Sequence, residues 1–337
     1  MRSILTTVVG SYPVPAWLPH SRTREAQHDA VLAVLKTQEN AGVDVISDGE
    51  LIRFNADHPE TNGMVDYFLA PLAGVDVHPT RAEIDAFRRS AVGKYRNEPA
   101  AILRGPLGEG TLNLPRDWEA VRRLTRHTLK FTCTGPHMLS KLVLDPRGGD
   151  VARTAMELAE VLRKQLEAID APVVQLDEAN IPGSPEEAEW AAAAVNHVLS
   201  AVRGEKNVHV CFGNYAGQTV QRGHWSRLLG YLNALRADCL ILECARRPDE
   251  EVAALRDIDP RIRLGVGVID VKDNHAETPD EVARGIERAA RLVGGASRIR
   301  YVHPDCGFWM LQRAVVDRKL ESLVLGRDLY EGRAPAG

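Results

Sequence analysis

Several things are scarce or missing in this sequence. No apolar run approaches the roughly 18–20 residues of a membrane span, so a membrane-spanning chain is not expected. There is no basic excess. The 42 Lys and Arg stand against 46 Asp and Glu, for a net charge of -4, and the pI is near 6.3. That removes the electrostatic signature of a nucleic-acid binder. Short pieces such as "RIRLG" and "ECARRP" are interleaved with acids and read as solvated surface or a local anion contact. Cysteine is sparse: five residues (133, 211, 239, 244, 306) in 337 do not form a disulfide framework. The opening "MRSILTTVVGSYP" has one Arg, a short apolar stretch and no small-residue cleavage pattern. It reads as a first β-strand and not as a signal peptide, and a cytoplasmic protein is expected. No repeat of 20–50 residues is visible, nor any low-complexity segment beyond the tail "GRAPAG". The "VVGSYPVP" after the first apolar run is not the Gly-rich phosphate fingerprint of a doubly wound nucleotide-binding sheet.

What is present is an alternation. Short apolar runs occur at "ILTTVVGS" (4–11), "VDVISDGE" (43–50), "LKFTCTGP" (129–136), "PVVQLDE" (172–178), "NVHVCFGN" (207–214), "DCLILECA" (238–245), "IRLGVGVID" (262–270) and "IRYVHPDCG" (299–307). They are apolar on both faces, as buried parallel strands should be. Helical patterns lie between them. "TREAQHDAVLAVLKTQENAG" ends on Gly42, a C-cap signal. "SPEEAEWAAAAVNHVLSAVRG" opens on Ser184 and Glu187, a capping-box pattern. "TPDEVARGIERAARLVGG" has Thr278 ahead of its helical run. Eight such units predict an α/β fold, a single (β/α)8 TIM barrel over residues 1–330. Residues 51–127 form an inserted segment between strands two and three, read as a helix plus a hairpin-like excursion. Residues 331–337 are expected to be a flexible tail.

The polar residues of these runs gather at strand ends. Ser11, Asp48, Glu50, Thr134, Asp177, Glu178, Cys211, Glu243, Asp270 and Cys306 all lie at or just past C-terminal ends, the active-site face of such a barrel. Asp177, Asp305 and Ser11 could each cap a following turn instead, but ten polar groups in an apolar mouth need partners or a ligand. His209 and Cys211 are two apart, so on a strand they share a face. Eleven His and five Cys give about 0.16 such pairs per chain by chance, so the pair alone is weak. Glu243, among the aliphatics of "CLILEC", and Cys306, ending the last run, add a carboxylate and a second thiol. Zinc suits such a mixed set. Cys133, Cys239 and Cys244 read as small buried hydrophobes, and His303 is a possible substitute ligand.

"VVGSYP", "SDGE" followed by "NGMVDYF", "CTGPHML", "QLDE", "HVCFGNY", "LILECAR", "GVGVIDVK" and "VHPDCGF", in this order, resemble the catalytic barrel of the cobalamin-independent methionine synthase family and its single-barrel members. The resemblance implies a zinc-dependent methyltransferase. His209, Cys211, Glu243 and Cys306 match the zinc ligands. Ser11 matches the small residue near the substrate carboxylate, and Glu50 and Asp177 match the acids that hold its ammonium group. The implied reaction is attack by a homocysteine-like thiolate on an activated methyl carbon, with Glu243 as the ligand that yields to sulfur. Lys272, with Asp270 ahead of it in "DVKDNH", stands where the family has a proton-relaying His. Lys141 lies near the place of a pterin-stacking Trp, and "DEANIPGS" replaces another folate-side run. The methyl donor is therefore a methylcorrinoid protein or another activated alkyl compound before it is methylfolate. The epoxide-opening coenzyme M transferases, which share the zinc logic, and a non-catalytic zinc-binding barrel are the alternatives. The oligomeric state is left open.

Overall fold

The computed structural model describes residues 4–59, 63–90, 96–214 and 218–333. Tyr215 of "HVCFGNY" and residues 334–337 of the expected tail lie outside the described residues. Among those described, eleven strands occur. In chain order they are β1 (Leu5–Thr6), β2 (Val45–Ile46), β3 (Ala73–Asp76), β4 (Ala101–Gly108), β5 (Thr128–Thr134), β6 (Val143–Leu144), β7 (Val173–Asp177), β8 (Glu205–Val210), β9 (Cys239–Leu242), β10 (Arg263–Ile269) and β11 (Ile299–Pro304).

Eight of them form one parallel sheet in the order β1-β11-β10-β9-β8-β7-β5-β2. A bridge between Thr7 and Val45 joins its two ends, so the sheet curls into a barrel. All eight predicted apolar runs supply a strand. β1 and β2 are only two residues long, because the polar ends of those runs have already turned into loops.

The segment after β2 departs from its expected outline. Helices Asp66–Leu69, Arg81–Arg89 and Leu114–Arg122 accompany an antiparallel pair, β3 and β4. The strand β6 pairs in parallel with β4 and makes a three-stranded sheet. This third strand comes from beyond the insertion, and two residues are too short to carry a readable period.

The helices end where the sequence says they should, with one exception. Gly42 closes the helix Arg24–Ala41 in the left-handed region, at φ 81°. Thr278 and Glu281 form a full capping box on the helix Pro279–Leu292. The box predicted at Ser184 does not form. Glu187 instead accepts from Lys141 at 2.7 Å and pairs with His137 at 2.8 Å. Charge-assisted partners outcompete a neutral cap.

Two apolar regions hold the barrel together. The larger lies between the strands and the surrounding helices and includes Cys133 and Cys244. The smaller, with Val9, Val45, Val173, Cys239, Ile241 and Tyr301, fills the barrel interior. Three cysteines thus behave as small hydrophobes, as expected. Buried polar side chains are interleaved with this plug: Lys130 is in register with Val173 and Asn207 with Cys239, and Gln175 and His303 are buried as well. The strands run on to polar residues at their C-terminal ends, the face where such barrels carry their chemistry.

Candidate metal centre and substrate cavity

A cavity of about 320 Å³ opens at that mouth. Of the ten polar strand-end residues, Ser11, Glu50, Asp177, Cys211 and Cys306 line it. Of the other five, Glu243 pairs with Lys272, and Asp48, Thr134, Glu178 and Asp270 serve the loops, as Asp305 does. Asp48 accepts from the Glu50 N–H at 2.9 Å. Thr134 donates to the Met64 carbonyl at 2.6 Å. Glu178 accepts from the His137 and Met138 N–H groups at 2.9 and 2.8 Å. Asp270 accepts from the Lys272 N–H at 2.8 Å. Asp305 holds the loop after β9 through Cys244 and Ala245 N–H, both at 2.8 Å. Burial raises the Glu178 and Asp305 carboxyls to about 8.

His209, Cys211 and Cys306 come together at one side of the cavity. Their ligand atoms all lie within 4.8 Å of one another. His209 and Cys211 sit at the end of β8 with the period-2 spacing that turns both inward, and Cys306 follows β11. The two sulfurs are 3.6 Å apart and not bonded. Two sulfurs at about 2.3 Å from a tetrahedral zinc ion would be about 3.8 Å apart. The Nδ1–H of His209 donates to the Ile241 carbonyl at 2.9 Å. That fixes the tautomer and leaves Nε2 as a lone pair facing the sulfurs. Nε2 is buried and has no hydrogen-bond partner. The hydrogen bond from Cys211 and the imidazole beside it hold the Cys306 thiol well below its ordinary range. The same pairing, with burial, pushes Cys211 up. A buried lone pair and two sulfurs at this spacing fit a zinc ion by donor type and geometry.

Glu243 stands apart from this group. Its Oε1 accepts from Lys272 Nζ at 2.9 Å and its Oε2 from the Phe212 N–H at 3.1 Å. Lys272 and Glu243 are both almost fully buried. Burial pulls the Lys272 ammonium down, but the Glu243 carboxylate outweighs it and raises the group above its ordinary value. Lys272, Asp270 and Glu243 do not line the cavity. His303 points into the barrel, where a Cβ on Gly265 would come within 3.1 Å of its ring. It too lies outside the group.

The acids line the same cavity, Asp177 beside His209 in the register of β7 and β8. Glu50 has φ 61° and is the one non-glycine residue with positive φ among those described. Its Oε1 accepts from Thr132 Oγ1 at 3.1 Å and lies 3.7 Å from Arg53 Nη1. Its Oε2 is buried with no hydrogen-bond partner. Burial raises Glu50 to about 7, with Asp177 adding to the rise against the pull of Arg53. Burial also raises Asp177. Ser11 packs against Gly307 so closely that a Cβ there would sit 2.0 Å from Ser11 Oγ.

Arg53, Lys130, Thr132 and Gln175 were not singled out by the sequence reading. Arg53 is buried, donates to the Thr132 carbonyl and Oγ1, and lies over the rings of Tyr67, Phe68 and Phe131. Lys130, Thr132 and Thr134 share one parity on β5, so a charge in "LKFTCTG" at that parity was the available signal.

Comparison with known proteins gives the chain's family. The family described as "Cobalamin-independent synthase, Catalytic domain" matches residues 4–325. A methionine synthase of Thermococcus kodakarensis is 28% identical, over 96% of this chain and 92% of its own. One from Sulfurisphaera tokodaii is 30% identical, over 95% and 90%. Among solved structures, a B12-independent methionine synthase from Shewanella sp. W3-18-1, in complex with selenomethionine, superposes with a TM-score of 0.81 at 23% identity, covering 98% of each chain. At that identity it supports the barrel fold. The chain is a methyltransferase enzyme and belongs to the cobalamin-independent methionine synthase catalytic-domain family.

Proposed function

We propose that the protein transfers a methyl group to the thiol of homocysteine, giving methionine. One observation carries the reading: two buried lone pairs without partners, His209 Nε2 and Glu50 Oε2, belong to residues of the same cavity. The first suits a metal ion that binds sulfur, the second an ammonium group. A thiol amino acid satisfies both.

His209, Cys211 and Cys306 would hold a zinc ion, with Glu243 as a fourth and exchangeable ligand. Bound there, zinc would lower the pKa of an incoming thiol while its own thiolate ligands keep that sulfur electron-rich. Glu50 and Asp177 hold the substrate ammonium, and Ser11 contacts its carboxylate. The thiolate forms a bond to the methyl carbon, the bond from that carbon to the donor breaks, and its electron pair leaves with the donor. The Nδ1–H of His209, anchored on the Ile241 carbonyl, keeps Nε2 aimed while this happens.

The donor side favours a bulky compound of which only the methyl enters. A 320 Å³ cavity is at the small end of ligand sites. Three of the chain's five methionines, Met64, Met138 and Met310, line it together with Trp309, and methionine adapts to irregular partners. Lys141 is turned away to Glu187 and offers no platform for a pterin. With L-homocysteine, methionine is expected from methylcobalamin and not from methyltetrahydrofolate. An epoxide donor and a sulfonate thiol complete the panel. A preference for the sulfonate thiol would replace this reading with the thiol-addition one. Bound zinc with no turnover on any pair would favour a binding protein.

Lys272 competes with zinc for Glu243. Removing it leaves a buried carboxylate without its cation, which costs about 3–5 kcal/mol unless another cation takes over. Lys272→Met is expected to bind zinc about tenfold more tightly in a chelator competition and to turn over more slowly, because Glu243 no longer has a resting partner. Unchanged or weaker zinc binding would remove Lys272 from that role.

A further inference from the structure

Lys130 is a costly buried cation in the barrel that the proposed chemistry does not use. It is buried beneath the cavity, and burial pulls its ammonium down to about 8. A methionine or leucine would fill the same space without that cost. Its surroundings show what the charge does. Lys130 Nζ donates to the Val8 carbonyl and, at 2.7 Å, to Gln175 Oε1. The Gln175 amide nitrogen donates to the Val9 carbonyl at 2.8 Å and to Asp177 Oδ1 at 2.7 Å. Every polar atom of that amide is engaged, and all three side chains are buried.

An amide can present either end to a carboxylate. Flipped, Gln175 would set its oxygen against both the Val9 carbonyl and Asp177. Lys130 offers only donors, so it selects the orientation that gives Asp177 an N–H. The register makes this possible. Lys130 pairs with Val173, Thr132 with Gln175 and Thr134 with Asp177, so the lysine sits one inward layer below the glutamine and two below the aspartate. The intervening amide also keeps the ammonium off Asp177. A lysine placed directly on that carboxylate would occupy it. Through Gln175 it passes on orientation and leaves the negative charge for a ligand.

We infer that Lys130 and Gln175 form a buried relay that positions Asp177, and that this relay sets the preference for thiols bearing an α-ammonium group. Lys130 touches no substrate atom and is a positioning residue. The inference rests on the proposed assignment of Asp177 to the substrate ammonium.

The test compares L-homocysteine with 4-mercaptobutanoate, which keeps the thiol and carboxylate but lacks the amine. Wild type, Lys130→Met, Gln175→Leu and the double variant are assayed as zinc-loaded enzymes, with zinc content and thermal unfolding measured alongside. In each single variant the KM for L-homocysteine should rise about tenfold with kcat changed less than about twofold. The KM for 4-mercaptobutanoate should stay put, and the double variant should match the singles. If Lys130→Met fails to fold, Gln175→Leu carries the same comparison with the lysine intact. An equal loss for both thiols, or additive effects in the double variant, would mean a merely structural role and overturns the relay. A wild type with no preference for L-homocysteine over 4-mercaptobutanoate overturns the ammonium assignment itself, and the relay with it.

Discussion

Cys306→Ser is expected to lose the metal and about a thousandfold or more of methyl transfer. A serine oxygen at this site is neutral at pH 7, whereas a zinc ligand must be deprotonated. The neighbours hold Cys306 as the readily ionised member of the sulfur pair, so its loss also leaves Cys211 without the partner 3.6 Å away. Without the metal, a free thiol of pKa near 8.5 is only about 3% thiolate at pH 7, a loss of about 30-fold. The rest comes from positioning, where effective molarities of oriented groups far exceed this factor. Cys211→Ser should behave alike. Cys239→Ala is the control: its thiol sits in the apolar plug of the barrel, and it should keep full metal content and near-normal turnover. Metal quantification on purified protein and a single-turnover methylation assay decide the matter. Full zinc retention in Cys306→Ser would remove that residue from the ligand set.

The barrel was legible because its strands are buried on both faces. A run such as "NVHVCFGN" is continuous in apolar character, and the amphipathic stretch ahead of it announces a covering helix. The metal group was legible for a second reason. His209 and Cys211 are two apart, and that spacing alone sends both into the barrel whatever the loops do. The direction of the other strand-end groups was not. Glu50 and Asp48 look equivalent in "SDGE", yet Asp48 turns to the Glu50 N–H and Glu50 turns to the cavity. Asp305 and Glu178 find their partners in the loops after β9 and β5, 60 and 41 residues away. Pairings of that range follow from the closed sheet and not from local pattern. Glu243 shows the same limit. Its place at a strand end is visible in "CLILEC", but its hold on Lys272 depends on the loop after β10. The relay below Asp177 lay within reach, since Gln175 and Asp177 share a parity on β7, as Lys130 and Thr132 do on β5. It needed the pairing register of the two strands to connect them.

Glu50→Gln should make the protein more stable at neutral pH and nearly unable to hold its substrate. The side chain keeps its shape and its Thr132 contact, while the negative charge facing the cavity is lost. Truncating one partner of a buried charge pair costs about 3–5 kcal/mol, so kcat/KM for L-homocysteine should fall by about a hundredfold to a thousandfold. For stability the sign is opposite. Burial raises the folded carboxyl from 4.5 to about 7, so the native state binds more protons than the unfolded chain between those values. Stability therefore falls as pH rises through that window, by about 3 kcal/mol for this group alone. Glutamine does not titrate, and the difference between the two unfolding curves isolates the effect. Urea denaturation at pH 5 and pH 8 should show wild type losing stability relative to Glu50→Gln at the higher pH. The positive φ of Glu50 belongs to the same trade. A non-glycine residue in the left-handed region costs about 1–3 kcal/mol, and here it is combined with a buried, under-satisfied carboxylate. A fold tolerates both at one residue when a ligand's charge completes the site, so added L-methionine should stabilise wild type more at pH 8 than at pH 5 and leave Glu50→Gln nearly unchanged. Equal stabilisation of both proteins at both pH values would mean that the ammonium group rests elsewhere.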